Sequence, residues 1–397
     1  MEKDWGLNEL VEILRPRLQG LVICLSHSWG GLEQVAATDA LDFGGFGLNI
    51  SVLCLEGSPL HEHLAHRKEV KVIPLQFSPR DYFDWKMRTE LRRHFSEGVN
   101  LIHLHQPSLL GSVIPWIWRR PEIAMVASRH IMSNHNKKDF FHRCLYSRLD
   151  SLIVVSQTLR RNVLDTHPIR EKHVKVVNLG LDFDRFDPDR VDPLRQRAVW
   201  GADPDTIVIG LVGRIDPAKG QSTFIKAAAG LMKSLRAEEK VKFVIVGEET
   251  LGRASNHLQE LKKMVTQFGI DDPVVFAGYQ DNIPEVMRSF DIFVMPSRQE
   301  AFGLVAIEAM AMESPIIISS GGSAADIIGE EEFGLLMRPE DAFDLQRQMR
   351  YLLDNPMERV QMGQRARAHV KRHYDRKIHH VRTLDVYDRA LSRRALF

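Results

Sequence analysis

The stretch IVIGLVGRIDPAKG, residues 207–220, joins a run of aliphatic, β-branched residues to a polar turn. The apolar run ends at Val212, and an apolar helical pattern, STFIKAAAGL, begins at residue 222. A short apolar run followed by a turn and a helix is typical of one strand–helix unit of a parallel sheet. The segment therefore predicts an α/β fold.

The same alternation recurs along the chain in two series. The first series of apolar runs is LVICLS, NISVLCLE, VKVIPL, NLIHLH, IAMVAS, SLIVVS and HVKVVN, and the second is IVIGLVG, VKFVIVG, PVVFAG, DIFVMPS and PIIISS. A stretch rich in Asp, Pro and Arg, residues 183–205, separates them and indicates a linker followed by a short helix.

We therefore predict two Rossmann-like domains facing an interdomain cleft. The N-terminal domain covers residues 1–185 and the C-terminal domain residues 186–374, with a final helix over 375–397 that returns to the first domain. Ligands of such sheets bind beyond the carboxyl ends of the strands. The cleft is thus the expected site.

The composition narrows the class of protein. Lys and Arg number 53 against 52 Asp and Glu, so no global basic field exists to gather nucleic acid. Cys24, Cys54 and Cys144 lie far apart, which fits a reducing cytoplasm. The first residues lack a signal-peptide core, and no apolar run approaches the roughly 20 residues that span a bilayer. We expect a cytoplasmic protein.

The turn after residue 212 carries two cations. Arg214 and Lys219 follow Gly213 at the carboxyl end of a predicted strand, where a fork-shaped guanidinium and a point charge can hold a diphosphate. An ordinary strand-to-helix loop with solvated charges is the alternative.

The segment SRQEAFGLVAIEAM, residues 297–310, places two acids around an apolar turn. Phe302, Gly303 and Leu304 would present free amides at a helix N-terminus, which attracts anions. Glu300 precedes the helix and Glu308 lies on its second turn, and carboxylates accept hydrogen bonds from vicinal hydroxyls. The alternative is a helix-capping acid and a solvated one.

A third element, SHSWGGLEQVAATDAL, puts Gly30 and Gly31 between the first strand and a helix, where backbone amides can meet phosphate. It is not the G-x-G-x-x-G fingerprint of nicotinamide enzymes, which argues against a dehydrogenase.

Together these segments resemble the retaining GT-B glycosyltransferases of glycosyltransferase family 4. The likeness covers nearly the whole chain and combines the WGG loop, the HLH of IHLHQP, the SRH at 128–130, VKVVNLGLD, GRIDPAKG, EAFGLVAIEAM with its Glu-x7-Glu spacing, and ISSGGSAADII. Ser323 and Ala324 depart from the common pattern, since bulkier residues and a Pro are usual in this loop.

The resemblance implies roles for individual residues. Glu300 would bind hydroxyls of the donor sugar, Glu308 the ribose, and Arg214 and Lys219 the diphosphate, while His130 matches the active-site histidine near the reacting sugar. The residues that would complete the donor site are Gly30, Gly31, Gly213, Gly278, Tyr279, Phe302, Gly303 and Leu304. His130 as a strand-ending structural histidine is the alternative.

The implied reaction moves a hexose-type sugar from a nucleotide diphosphate, with a UDP-sugar favoured over a GDP- or ADP-sugar and with retention of configuration. We expect no metal, because no Asp-x-Asp lies in a suitable loop and HEHLAH, residues 61–66, fails the His-Glu-x-x-His spacing. The departing phosphate would itself take the acceptor's proton.

Residues 116–148 bear on the acceptor. Trp116 and Trp118 adjoin Arg119 and Arg120, which suits contact with the inner-membrane surface, although tryptophans in the core of a helix are an equal alternative. The KKDFFHR segment also resembles enzymes of lipopolysaccharide or surface-glycan synthesis. We therefore expect a glycan or glycolipid acceptor at the cytoplasmic face of the inner membrane.

Two rival functions use the same architecture. A sugar-nucleotide epimerase or a phosphorylase would need no glycan acceptor, and a non-catalytic sugar-nucleotide-binding subunit would bind the donor without transfer. The presence of both Glu300 and Glu308 favours the enzyme over the non-catalytic subunit.

Overall fold

A computed structural model describes residues 6–79, 82–249, 256–329 and 332–395. The chain divides into two compact units. The N-terminal unit consists of Met1–Gly180 and Lys377–Phe397, and the C-terminal unit of Leu181–Arg376. Both are α/β units with a parallel sheet, as the strand–helix alternation predicts.

The described residues of the N-terminal unit form a seven-stranded sheet in the order β3-β2-β1-β4-β5-β6-β7. The strands are β1 Gln19–Cys24, β2 Asn49–Leu55, β3 Lys71–Leu75, β4 Leu101–Leu104, β5 Ala124–Arg129, β6 Ser151–Val154 and β7 Val174–Val176. The helices are α1 Leu7–Leu14, α2 Gly31–Gly45, α3 Pro59–Leu64, α4 Trp85–Ser96, α5 Leu110–Ile117, α6 Phe140–Ser147 and α7 Gln157–Thr166.

The C-terminal unit contains a six-stranded sheet in the order β10-β9-β8-β11-β12-β13. Its strands are β8 Ile207–Val212, β9 Val241–Val246, β10 Val274–Gly278, β11 Ile292–Met295, β12 Ile316–Ser319 and β13 Leu335–Met337. Its helices are α8 Leu194–Val199, α9 Gln221–Met232, α10 His257–Phe268, α11 Ile283–Arg288, α12 Leu304–Ala311, α13 Ala324–Ile328, α14 Ala342–Asp354 and α15 Pro356–His373. The three-residue strand β13 is absent from the predicted series.

The last helix, α16 Arg376–Arg394, packs in the core of the N-terminal unit. Tyr387 is fully buried there, and the ring nitrogen Nε2 of His379 lies 2.9 Å from a carboxylate oxygen of buried Asp39 on α2. Arg394 contacts the buried Asp150 at 2.8 Å. The helix is therefore an integral layer of this unit.

The backbone changes units a few residues before the predicted boundary at 185. Leu181 forms a parallel bridge with Asp375, donating its amide to the carbonyl of Tyr374 and accepting from the amide of Arg376. This pairing assigns residues 181–185 to the C-terminal unit. The predicted final helix began at 375 and ended at 397, whereas α16 spans Arg376–Arg394 and residues 396–397 lie outside the described part of the chain.

Candidate functional site

The strand order of the C-terminal sheet reverses between β8 and β11. From β8 the chain adds β9 and β10 toward one edge, and it then returns to place β11 on the other side of β8. Open parallel sheets bind ligands beyond the carboxyl ends of the strands at such a reversal. The two motif loops, residues 213–220 and 296–303, directly follow these two strands.

The loop after β8 is held by its own backbone. The amide of Gly213 donates to the carbonyl of Val246, and a carboxylate oxygen of Asp216 accepts from the amide of Ala218 at 2.9 Å. Gly220 has a φ of +76°, and a Cβ there would lie 2.3 Å from the carbonyl oxygen of Pro296. This close approach requires glycine and locks the loop against the segment that follows β11.

The two motif loops meet through a charged contact. The Nζ atom of Lys219 lies 2.7 Å from Oε2 of Glu300, and both side chains are only partly exposed. Arg214 is more exposed, at 54% of its side chain, and its guanidinium lies 4.0 Å from a carboxylate oxygen of Asp216. One cation and one carboxylate from the sequence motifs are thus brought together at the strand-order reversal.

The backbone of Glu300 is fixed by the loop after β12. Its amide donates to the carbonyl of Gly321, and its carbonyl accepts from the amide of Ser323. At Gly322 φ is +102°, and a Cβ would lie 2.2 Å from the carbonyl oxygen of Glu300. The loop that departs from the family pattern therefore has a structural task, which is to hold the acid in place.

The apolar turn before α12 leaves backbone donors available. Gly303 has a φ of +88° and begins the helix, while the hydroxyl of buried Ser323 donates to the carbonyl of Phe302 at 2.7 Å. The amides of Gly303 and Leu304 have no acceptor among the described residues. Free amides at a helix N-terminus form an anion-binding surface.

Glu308 lies on the second turn of α12. The residue is partly exposed, but burial of its carboxyl group raises its pKa to about 7, a shift that Arg185 partly opposes. No hydrogen-bond donor in the described part of the chain reaches this carboxyl group. It is therefore available as an acceptor for hydroxyl groups.

Gly278 and Tyr279 follow β10 at the edge of the same sheet. The carbonyl of Gly278 accepts from the amide of Gly247, and Tyr279 is 61% exposed. In the strand order β9 lies between β10 and β8, the strand that Lys219 follows.

Gly30 and Gly31 belong to the N-terminal unit, at the start of α2. The sequence puts them where backbone amides can meet phosphate, but the amide of Gly30 donates to Oε2 of buried Glu33 at 2.8 Å. Gly31 is exposed. The Glu33 side chain caps its own helix and so engages one of the two predicted donors.

His130 directly follows β5 and stacks on His105, with ring centroids 5.8 Å apart and ring planes 13° apart. Burial lowers the pKa of His130 to about 4, so its imidazole is neutral at pH 7. His103, on β4, also lies next to His105, with centroids 4.3 Å apart. The sequence assigned no role to His103 or His105, although their spacing of two places both on one face of a strand.

Two further features concern metals and membranes. Among the described residues no group of three or more His, Cys, Asp or Glu side chains is arranged to hold a metal ion. Within the same residues no helix combines the length and the apolar character that a bilayer crossing needs.

Comparison with known proteins gives the same architecture. The mannosylfructose-phosphate synthase of Agrobacterium fabrum is 27% identical over 298 residues, which are 72% of this chain and 64% of that relative. A glycosyltransferase structure from Rickettsia africae superposes with a TM-score of 0.84 at 17% identity and covers 94% of this chain and 98% of its own. The chain thus spans somewhat less than two-thirds of the length of that curated relative.

A second solved structure is HepE from Anabaena in complex with UDP and glucose. It has a TM-score of 0.76 at 20% identity and covers 93% of this chain and 97% of its own. These likenesses confirm the predicted fold, with two Rossmann-like domains of the GT-B type.

Two family models match successive parts of the chain. Residues 29–185 match Glycosyltransferase Family 4, and residues 193–369 match Glycosyl transferases group 1. Relatives named as D-inositol 3-phosphate glycosyltransferases, 25% and 34% identical over 69% and 55% of this chain, agree with the class of enzyme that the motifs predict. The chain is therefore similar to glycosyltransferases in both parts, to family 4 over residues 29–185 and to group 1 over residues 193–369.

Proposed function

We propose that this protein transfers a hexose-type sugar from a nucleotide-diphosphate donor to a glycan or glycolipid, with retention of anomeric configuration. The observation that carries the proposal is the Lys219–Glu300 contact of 2.7 Å at the strand-order reversal, beside the free amides of α12. A cation, helix amides and an acid with hydroxyl-accepting oxygens are the groups that a sugar diphosphate requires.

The diphosphate is assigned to Lys219, Arg214 and the amides of Gly303 and Leu304. Lys219 neutralises one phosphate, while the half-exposed Arg214 turns from Asp216 onto the other. Fixed cations and helix dipoles stabilise the charge that develops on a departing diphosphate. The backbone at Gly213 lies at the end of β8 and completes this part of the site.

The sugar and the nucleoside are assigned to the acids and the edge residues. Glu300 accepts hydrogen bonds from hydroxyls of the transferred sugar, and the same sugar contacts the backbone at Phe302 in the adjoining turn. Glu308 accepts hydrogen bonds from the ribose hydroxyls. Gly278 and exposed Tyr279 carry the base. The UDP and glucose bound to the HepE neighbour support a UDP-sugar as the first donor to test.

His130 is assigned to the transferring sugar and Gly31 to the donor phosphates, since the neighbouring Gly30 already donates its amide to Glu33. A neutral imidazole accepts or donates one hydrogen bond to the reacting sugar without adding charge. We do not assign His130 as a nucleophile; the departing phosphate takes the proton of the acceptor hydroxyl, and the new bond forms on the face that the phosphate leaves.

A panel of UDP-, GDP- and ADP-sugars tests the donor assignment. We expect a UDP-sugar to raise the Tm and to be slowly hydrolysed without acceptor, and Glu300→Gln to abolish hydrolysis while UDP binding is largely kept. Exposed Glu260→Gln is the control and should behave as the wild type. If no sugar nucleotide raises the Tm, the donor assignment is refuted.

The acceptor side of the proposal is a contact with the cytoplasmic face of the inner membrane, made by residues 116–148 together with the start of α4. Trp118 is 51% exposed and Trp85 is 65% exposed, and the Trp85 and Trp116 rings lie 4.9 Å apart. The Arg88 guanidinium lies 5.0 Å from the Trp85 ring. Exposed tryptophans beside cations suit the boundary between headgroups and acyl chains.

Sedimentation with vesicles tests this contact. The protein should sediment with phosphatidylglycerol vesicles and not with phosphatidylcholine vesicles, and added salt should weaken the binding. The double variant Trp85→Ala, Trp118→Ala should lose most of it, whereas Phe343→Ala, which removes an equally exposed aromatic from α14, should not. Equal binding of all three proteins would contradict the proposed surface. A lipopolysaccharide-type glycolipid is then the acceptor class to assay.

A further inference from the structure

Three histidines form a continuous stack at the carboxyl ends of β4 and β5. The ring of His105 lies between the other two, 4.3 Å from His103 and 5.8 Å from His130 by centroids. Its plane is almost parallel to that of His130, at 13°. His105 and His103 are buried, with exposed fractions of 1% and 2%.

His103 is rigidly fixed by hydrogen bonds at both ring nitrogens. Its Nδ1 lies 2.6 Å from the hydroxyl of Tyr387 on α16, and its Nε2 lies 2.7 Å from the hydroxyl of Ser128 on β5. Burial lowers the pKa of His103 to about 3, so the ring stays neutral and both hydroxyl contacts persist at pH 7. The ring therefore cannot rotate without breaking two buried hydrogen bonds.

His105 is held differently. Neither of its ring nitrogens meets a donor or an acceptor among the described residues, so ring contacts and its backbone hold it. Its amide donates to the carbonyl of Ile23 on β1. A buried imidazole without hydrogen bonds is costly and therefore uncommon. The ring of His105 therefore presents a flat surface of fixed orientation to the ring of His130.

The sheet places this surface at a functional position. In the N-terminal sheet the strand order reverses between β1 and β4, and His105 comes directly after β4. Ligands of open parallel sheets bind beyond the carboxyl ends of strands at such a reversal. The stack thus runs from the core helix α16, through β4, to the histidine proposed to face the reacting sugar.

Helix α16 is itself anchored by a second contact with the rest of the N-terminal unit. Burial alone would lower the pKa of His379, but the Asp39 carboxylate outweighs burial and raises it, so the two side chains form a charged pair at 2.9 Å. The carbonyl of Asn178 accepts a further hydrogen bond from the His379 ring. Tyr387 is two helical turns away and is held by this anchor.

We propose that His105 is a positioning residue for His130. The ring plane of His105 is fixed by its contact with His103, which is held in turn by the hydroxyl of Tyr387 on the C-terminal helix. The proposal rests on the proposed function, in which His130 contacts the reacting sugar. Because stacking, and not a hydrogen bond, links His105 to His130, the planar ring and not its nitrogens should carry the effect. Misplacement of a contacting group by about 1 Å can cost up to about a hundredfold in rate.

Paired variants separate the ring plane from its nitrogens. His105→Ala should lower kcat for donor turnover by about tenfold or more, with the donor KM changed by less than about twofold. His105→Phe keeps a flat ring and should recover kcat to within about threefold of the wild type. His94→Gln, a change at a buried histidine on α4 outside the stack, should leave kcat unchanged. If His105→Phe falls as far as His105→Ala, or if neither falls, the proposal is overturned.

A spectroscopic measurement tests the same contacts, from Tyr387 to His130, and does not require a measurement of activity. Tyr387→Phe removes the hydroxyl that fixes His103 but does not touch His130. In a protein with ¹³C-labelled histidine, the ring signal of His130, assigned from His130→Gln, should shift or broaden in Tyr387→Phe and stay in place in His94→Gln. An unmoved signal would overturn the positioning role. A wild-type enzyme that turned over no sugar nucleotide would instead refute the proposed function, and this signal would still decide the inference.

Discussion

The buried carboxyl group of Glu308 should make stability depend on pH, and donor binding as well if it contacts the ribose as proposed. Burial raises its pKa to about 7 from an ordinary value of 4.5. The folded state therefore holds a proton that the unfolded state has lost between pH 4.5 and 7. By linkage, the stabilisation is fully present below pH 4.5 and is lost as the pH rises through about 7.

The size of the effect follows from the shift. At 1.36 kcal/mol for each pKa unit, ionised Glu308 destabilises the folded state by up to about 3 kcal/mol at pH 8. Glu308→Gln removes this charge and keeps the shape. At pH 8 the variant should thus have a Tm about 6–12 °C above the wild type, since 1 kcal/mol moves the Tm of a unit of this size by about 2–4 °C. At pH 4.5 the two proteins should melt together.

Donor binding should show the opposite dependence. Ribose hydroxyls donate to an ionised carboxylate better than to a protonated one. With a pKa near 7, about one-eleventh of Glu308 is ionised at pH 6 and about ten-elevenths at pH 8. The affinity for UDP-glucose should therefore rise about tenfold over this interval. UDP-glucose is the suitable probe because its diphosphate diester does not titrate there.

Isothermal titration calorimetry at pH 6, 7 and 8 measures this directly, and buffers of different ionisation enthalpy reveal the proton that binding releases. In Glu308→Gln the affinity should be independent of pH and no proton should be released. Glu260→Gln, an exposed acid on α10, should keep the wild-type profile. A tenfold rise that persists in Glu308→Gln would refute the assignment of Glu308 to the ribose, and equal Tm values at pH 8 would refute its burial as a cause of strain.

Three further changes test the loops of the proposed donor site. Lys219→Met should weaken UDP binding by at least about tenfold in calorimetry, because a charged hydrogen bond contributes about 1.5–3 kcal/mol, and unchanged affinity would remove Lys219 from the diphosphate site. Gly322→Ala should lower the Tm by several degrees and impair donor turnover, since its Cβ would lie 2.2 Å from the carbonyl oxygen of Glu300; Gly45→Ala, with open space at its Cβ, is the control for Tm. Ser323→Ala should cost about 1–2 kcal/mol in urea unfolding, because it leaves the carbonyl of Phe302 without its donor, and no loss would make that hydrogen bond dispensable.

The strands were predictable because buried parallel strands are continuous apolar runs. Each run of the two predicted series corresponds to one of β1–β12. Strand β13 was missed because Leu335–Met337 is three residues long and only Met337 is buried. A strand this short, at the edge of a sheet, has too little apolar sequence to distinguish it from a loop.

The arrangement of the residues proposed to bind the donor could be predicted only in part. The sequence places Arg214 and Lys219 after one strand and Glu300 after another, and so assigns these residues to strand ends. It cannot show that Lys219, rather than Arg214, contacts Glu300, because 81 residues separate the pair and the contact depends on β11 lying beside β8. The hydrogen bond of the Ser323 hydroxyl could likewise not be predicted from the sequence, because its partner is the backbone carbonyl of Phe302.

The histidine stack shows a different limit. A spacing of two puts His103 and His105 on one face of a strand. The hydroxyl that holds the His103 ring, however, belongs to Tyr387, which lies 284 residues later in the sequence. Residues 1–185 are consequently not a self-sufficient domain: without α16 the carboxylate of Asp39 would be buried without its charged partner, and removing one member of such a pair costs about 3–5 kcal/mol. The C-terminal helix is thus held on the first unit by the pairing of His379 with the buried Asp39 carboxylate. The same helix carries Tyr387, whose hydroxyl fixes His103. Stability and the geometry around His130 depend on one segment, which explains how a helix so distant in sequence can bear on the proposed reaction.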